Sequence, residues 1–134
     1  MATQAFLLED VMKGRFDNGL DVKILWAAAT DKPVQKYNMS DVRHWVYSPC
    51  WSVGDCFISP YQVLMQPKQF ADHMRRVKQA DLSYPLIVVE DDFDKHGSVL
   101  NGNHRLVKMI LEKRRVVRFV YFTKREIQRL IKSN

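Results

Sequence analysis

The chain has no apolar run long enough to span a membrane. Its longest stretches, such as Ile24 to Ala29, fall far short of the roughly 20 residues that cross a bilayer as a helix, so no membrane partner is expected. The N-terminus lacks the basic start and apolar core of a secretory leader, which makes a cytoplasmic protein the expectation. There is no G-x-x-x-x-G-K-[ST] and no G-x-G-x-x-G, so the two best-known glycine-rich phosphate loops are excluded. Cysteine is scarce. Five residues separate Cys50 from Cys56, the wrong spacing for a C-x-x-C redox pair or zinc knuckle, and no second ligand pair exists. They read as buried or idle thiols, and no metal site is assigned to them. No repeat, low-complexity tract or Gly/Ser-rich linker divides the chain.

What is present suits one folded domain over residues 1–134. The 134 residues can bury a real core but not two ordinary ones, and 46% hydrophobic with 27% charged residues is a globular balance. Lysine and arginine number 21 against 15 acids, a net charge of +6 that favours polyanions or nucleotides as partners, although it equally suits a plain solvated surface.

The first third is the least legible. Ala5 to Lys13 reads as a short helix, and "GLDVKILW", Gly19 to Trp26, alternates as a strand does. "MSDVRHWV" suggests a short helix capped by Ser40. From Ser59 the signals sharpen. "SPYQVL" sets Ser59 at a cap and Pro60 at the first helical position, and a second helix opens near Pro67 with Phe70, Ala71, Met74, Val77 and Ala80 on one face. "YPLIVVE" is a buried strand, "DDFDKHG" a turn and "SVLN" a second strand, giving a hairpin. After Gly102 the period changes to that of a helix, with Leu106, Val107, Ile110 and Leu111 on one stripe to near Lys113. "VVRFVYF" follows as a strand, and Thr123 with Glu126 forms a capping box for a last helix. The fold class that results is α+β, a small mixed sheet packed with helices.

The chemistry concentrates in "VLNGNHRLVK". A strand that turns at glycine into a helix leaves backbone N–H groups without intrahelical partners, at the positive end of the helix dipole. Gly102 can take a positive φ and let a ligand come close. Asn103 can cap or donate, His104 can donate or exchange a proton, and Arg105 can grip two phosphate oxygens. The same residues also describe an ordinary hairpin and capped helix with His104 and Arg105 on the surface, so spacing leaves both readings open.

The run from Ser59 to Phe122, about half the chain, resembles the ParB/sulfiredoxin superfamily. It carries a "PLIVV" strand, a strand ending in Gly-x-His-Arg that opens a helix, and a further strand, in the superfamily's order. Residues 1–58 lie outside the resemblance. The resemblance implies that Gly102, Asn103, His104 and Arg105 cradle the phosphates of a nucleotide (ATP, ADP or CTP), with Mg²⁺ assisting. Sulfiredoxins have a catalytic cysteine where this chain has Asn103, so sulfinic acid reduction is not expected. ParB proper has an acidic residue after the glycine and a DNA-binding region downstream, which this chain does not match. Free serine kinases resemble it through Asp-Gly-His-His-Arg, with Asn101 here in place of the aspartate. ParB-like nucleases would use the basic surface to hold DNA or RNA.

The resemblance therefore implies a nucleotide phosphohydrolase or phosphotransferase, with His104 and Arg105 as its catalytic residues. The alternative is a nucleic-acid-binding module without catalysis, or a nuclease. Glu90, with Asn101, is the candidate metal ligand or base if the hairpin register brings the two together; otherwise Glu90 and Asp91, Asp92 and Asp94 form a solvated turn. His44, His73 and His96 have no metal spacing, with His73 expected on the side of a helix and His96 in a turn. The aromatic residues from Trp45 to Tyr61 fit core better than a base-stacking platform.

Overall fold

In the computed structural model, residues 21–132 are described. The centre is a four-stranded mixed sheet in the order β1-β6-β4-β5, built from β1 (Gln35–Asn38), β4 (Leu86–Asp91), β5 (Asp94–Asn101) and β6 (Val116–Phe122). β4 and β6 run parallel at its middle, whereas β5 and β1 pair antiparallel on either side. The central strands are apolar at nearly every position because both faces are covered. Leu86, Val88, Val99, Val117 and Phe119 pack on one side. Ile87, Val89, Leu100, Val120 and Phe122 pack on the other.

The first face is covered by α5 (Asn103–Leu111), through Leu106 and Met109, and by α2 (Met39–Val42) with the 3-10 turn Arg43–Tyr47, through Met39, Val42, Trp45 and Val46. The second is covered by α1 (Val22–Thr30) and α6 (Lys124–Lys132). Outside α5 lies a third cluster, in which the β2–β3 hairpin (Trp51–Val53 and Cys56–Ile58), α3 (Pro60–Met65) and α4 (Ala71–Gln79) meet around Ile58, Val63 and Phe70. The described residues thus form one small α+β domain. None of their helices is long and apolar enough to cross a membrane.

Several local expectations hold. Ser59 and Gln62 form a reciprocal capping box with Pro60 in the first turn of α3. Thr123 and Glu126 do the same for α6, at 3.1 and 2.8 Å. Others need correction. The stretch expected as a strand over Gly19 to Trp26 is helix from Val22, capped by Asp21, whose carboxylate accepts from Lys23 N at 2.7 Å. Its β-branched and aromatic residues imitate a strand, but the alanine run that follows extends the helix and sets Leu25, Ala28 and Ala29 on the sheet. Ser40 lies inside α2, with Asn38 at the cap.

The helix expected near Pro67 begins at Ala71, after a turn. β5 starts at Asp94 and absorbs most of the stretch expected as a turn, His96 included. β1 and the β2–β3 hairpin carried no recognised signal. The helix expected over Ala5 to Lys13 lies outside the described residues. Cys50 is buried and Cys56 exposed, both free thiols, and burial pushes the Cys50 pKa well up.

Candidate functional site

Gly102 is where β5 becomes α5. Its φ of 107° and ψ of 20° are left-handed, a conformation that glycine alone adopts without strain. A Cβ there would lie 2.8 Å from Leu86 Cδ2 and 3.3 Å from Arg105 Nη1. The glycine is therefore required by the turn and by its own neighbours. The first intrahelical bond runs from Leu106 N to Gly102 O at 2.9 Å, so the N–H groups of His104 and Arg105 have no acceptor within the helix.

The residues of this turn point three ways. Asn103 is only 7% exposed and lines a small interior pocket with Trp45, Ser48, Cys50, Ser98 and Val99. His104 faces α4 and the β2–β3 hairpin. Its Nε2 shares a 3.0 Å hydrogen bond with His73 Nδ1, and the Trp51 ring lies over both imidazoles at 4.4 Å from each, within 24° of parallel. Burial lowers the His104 pKa to about 4, with the neighbouring His73 and Arg76 adding to the effect. His73 is lowered in the same way, by burial and then Arg76, against the opposing charge of Asp72. The pair is thus neutral near pH 7, as a stacked and partly desolvated pair of imidazoles must be to avoid repulsion.

Arg105 leaves the turn on the other side. Its Nη1 donates to Pro85 O at 2.9 Å, and its guanidinium carbon lies 5.7 Å from the centre of the Tyr84 ring. Burial lowers its pKa, while Asp81 and Tyr84 act in the opposite direction, and a guanidinium so placed remains a cation at neutral pH. One turn on, Lys108 Nζ donates to the carbonyls of Lys78 and Ala80 at 2.9 and 2.6 Å, holding the C-terminus of α4. Two cations of α5 therefore fix the connection from α4 to β4.

On the side of Arg105 the surface opens into a cavity of about 560 Å³. It is lined by Trp26, Ala29 and Thr30 of α1, by Lys32 and Val34, by Tyr84 and Pro85, and by Ile87, Val120 and Arg105. His104 does not line it. No local pattern announces this cavity, because its walls come from separate segments and from a helix that reads as a strand. Trp51 was equally hidden, whereas His73 lies on the side of α4 as expected, three residues after Phe70 and four before Val77.

Glu90 and Asn101 are not brought together. Asn101 pairs with Ile87 at one end of the hairpin, and Glu90 lies three residues further toward the turn, roughly 10 Å along the strand. Glu90 Oε1 accepts from Lys124 N at 3.0 Å, and Asp92 pairs with Lys124 Nζ at 2.6 Å. These two acids of the turn serve the N-terminus of α6. His44 donates to Asp94 Oδ2 at 2.6 Å, and His96 lies 3.6 Å from Oδ1 of the same carboxylate. Among the described residues no group of three or more His, Cys, Asp or Glu side chains could hold a metal ion. Trp45 is core, donating to Gly97 O at 2.8 Å, while Tyr47 and Tyr61 form an outward pair with ring centres 4.9 Å apart.

No family model, curated protein or solved structure matches the chain. A functional reading therefore rests on the residues of the chain and the geometry around Gly102.

Proposed function

We propose that the chain is a ParB/sulfiredoxin-like domain that binds a nucleotide through its phosphates at the Gly102–Arg105 turn. The observation that carries this reading is Arg105. A guanidinium has five donors. Here one is given to Pro85 O, and the cation sits within the first turn of a helix, where helix dipole and backbone donors already favour an anion. Gly102 supports the reading by fixing the turn, and Asn103 does so only through its main chain, since its side chain faces inward.

Phosphate hydrolysis or transfer is the chemistry this reading assigns. Arg105 would offset charge building on the phosphoryl oxygens, whereas His104, bonded to His73 and turned from the side on which Arg105 is open, is given no proton-transfer role. Glu90 is committed to α6 and remote from Asn101, so these two residues do not fit a protein-held Mg²⁺.

The test is thermal unfolding with ATP, ADP, CTP and GTP, each with and without Mg²⁺. At a nucleotide concentration a hundredfold above Kd, binding adds about 2.7 kcal/mol, enough to raise Tm by several degrees. No shift with any of them sinks the reading. Release of inorganic phosphate that is lost in Arg105→Ala supports the catalytic extension. A stable ligand shift without turnover leaves a binding domain.

A further inference from the structure

The cavity beside Arg105 has an unusual lining. Its floor is aliphatic, from Ala29, Val34, Pro85, Ile87 and Val120. Trp26 and Tyr84 also line it, and both are large aromatic residues left 50% and 60% exposed, although burying either would stabilise the fold. The two charged residues in the lining, Lys32 and Arg105, are cations, and no carboxylate lines it. Lys32 is paired with Glu126 and lies over the Phe122 ring, which leaves Arg105 as the cation more available to a ligand.

Apolar floor, exposed π faces and a cation at one side are three separate demands on an occupant. A purely apolar ligand would ignore the guanidinium, and a free phosphate would ignore the aromatic rings. A flat heterocycle bearing phosphates meets all three, because bases stack on aromatic side chains and phosphates pair with guanidinium groups. The volume falls within the range of small-molecule pockets.

We infer that this cavity is the base-binding half of a nucleotide site: the nucleobase lies on the Ala29–Val120 floor against Trp26 or Tyr84, and the phosphates reach Arg105. This rests on the phosphate-binding reading above and extends it to a surface formed by α1, outside the segment that resembles ParB and sulfiredoxin proteins. It also separates the roles of neighbouring residues, since His104 faces away from the cavity.

The test uses the whole chain with three probes, ATP, adenosine and inorganic tripolyphosphate, measured by calorimetric titration. Trp26→Ala is expected to lower Tm by at most a few degrees, because half of the ring is exposed, and to weaken ATP about tenfold through the loss of a stacked base. Tripolyphosphate binding stays unchanged in this variant, and Trp26→Phe, which keeps a π face, recovers most of the ATP affinity. Tyr84→Ala offers a second route to the same loss of base binding.

If ATP binds both Trp26→Ala and Tyr84→Ala as tightly as the unaltered chain, while Arg105→Ala weakens ATP and tripolyphosphate alike, the cavity assignment is wrong and the phosphate reading survives. If neither ATP nor tripolyphosphate binds the unaltered chain, both fall. Adenosine binding that depends on Trp26 without any contribution from tripolyphosphate overturns the phosphate reading and leaves the cavity as a base site alone.

Discussion

His104 and Arg105 are consecutive residues on one helical turn, yet they live in opposite surroundings. His104 is closed in by Trp51, bonded to His73 and held neutral. Arg105 lies beside an open cavity, keeps its charge and gives one bond to Pro85 O. A helix advances about 100° per residue, so neighbours at its first turn can belong to different sides of the molecule. The lesson is that a tetrapeptide motif is not one site. Its members are divided between packing and exposure by whatever the rest of the chain places beside each.

The comparison can be broken outright at the glycine that sets both sides. Gly102→Ala forces a left-handed φ on a residue with a Cβ and drives that atom toward Leu86, so a loss of about 3 kcal/mol is expected in urea unfolding. A midpoint close to that of the unaltered protein would mean that the turn does not depend on this conformation. Trp51→Ala acts on the closed side alone. It should cost about 2 kcal/mol, less than a fully buried tryptophan, and let the His104 pKa climb back toward the ordinary histidine value, as followed by its imidazole proton shifts in NMR. The same variant should bind tripolyphosphate as before, because Arg105 is untouched.

Acid sharpens the contrast further. His104 titrates near 4 in the folded protein against 6.5 ordinarily, so the unfolded chain takes up the proton first. Its contribution is fully present above pH 6.5 and is lost progressively as pH falls toward 4, by roughly 1–2 kcal/mol once partial exposure is allowed for. His73, shifted in the same direction, adds to that slope. Stability measured from pH 7 to pH 4 should therefore fall less steeply in His104→Gln than in the unaltered chain; equal slopes would place the titration elsewhere. The smallest effect belongs to the open side. Arg105→Ala loses one hydrogen bond and a contact with Tyr84, about 1 kcal/mol, so a thermal scan should show a Tm only a few degrees lower.

How much of this was legible in the sequence depended on whether the information was local. The caps at Ser59 and Thr123, the "PLIVV" and "VVRFVYF" strands and the glycine turn are set by neighbours within a few residues, and each formed as read. β1, only four residues long and mostly exposed, has too little periodicity to stand out. α1 misled because Val22, Ile24 and Trp26 favour strands, while the decisive factor was the sheet face that Leu25 would meet. The site behaved likewise. Gly102 could be anticipated from its type and place, but Trp51 over His104, and Trp26 in the same cavity as Arg105, are contacts between distant segments that no local pattern encodes.

The pairing of β1 with β6 has a consequence for the order in which the molecule can assemble. Gln35 is matched to Phe119 and Asn38 to Val116, so the first strand has its partner near the other end of the chain. Closing such a distance is slow relative to forming helices or the β4–β5 hairpin. During synthesis, β1 has no strand to pair with until β6 has emerged, and the Met39–Tyr47 segment behind it, although it can already meet β4, β5 and α5, lacks Val117 and Phe119 of its final core until then. The last strand to be made is thus the one that lets the first part of the described chain fold.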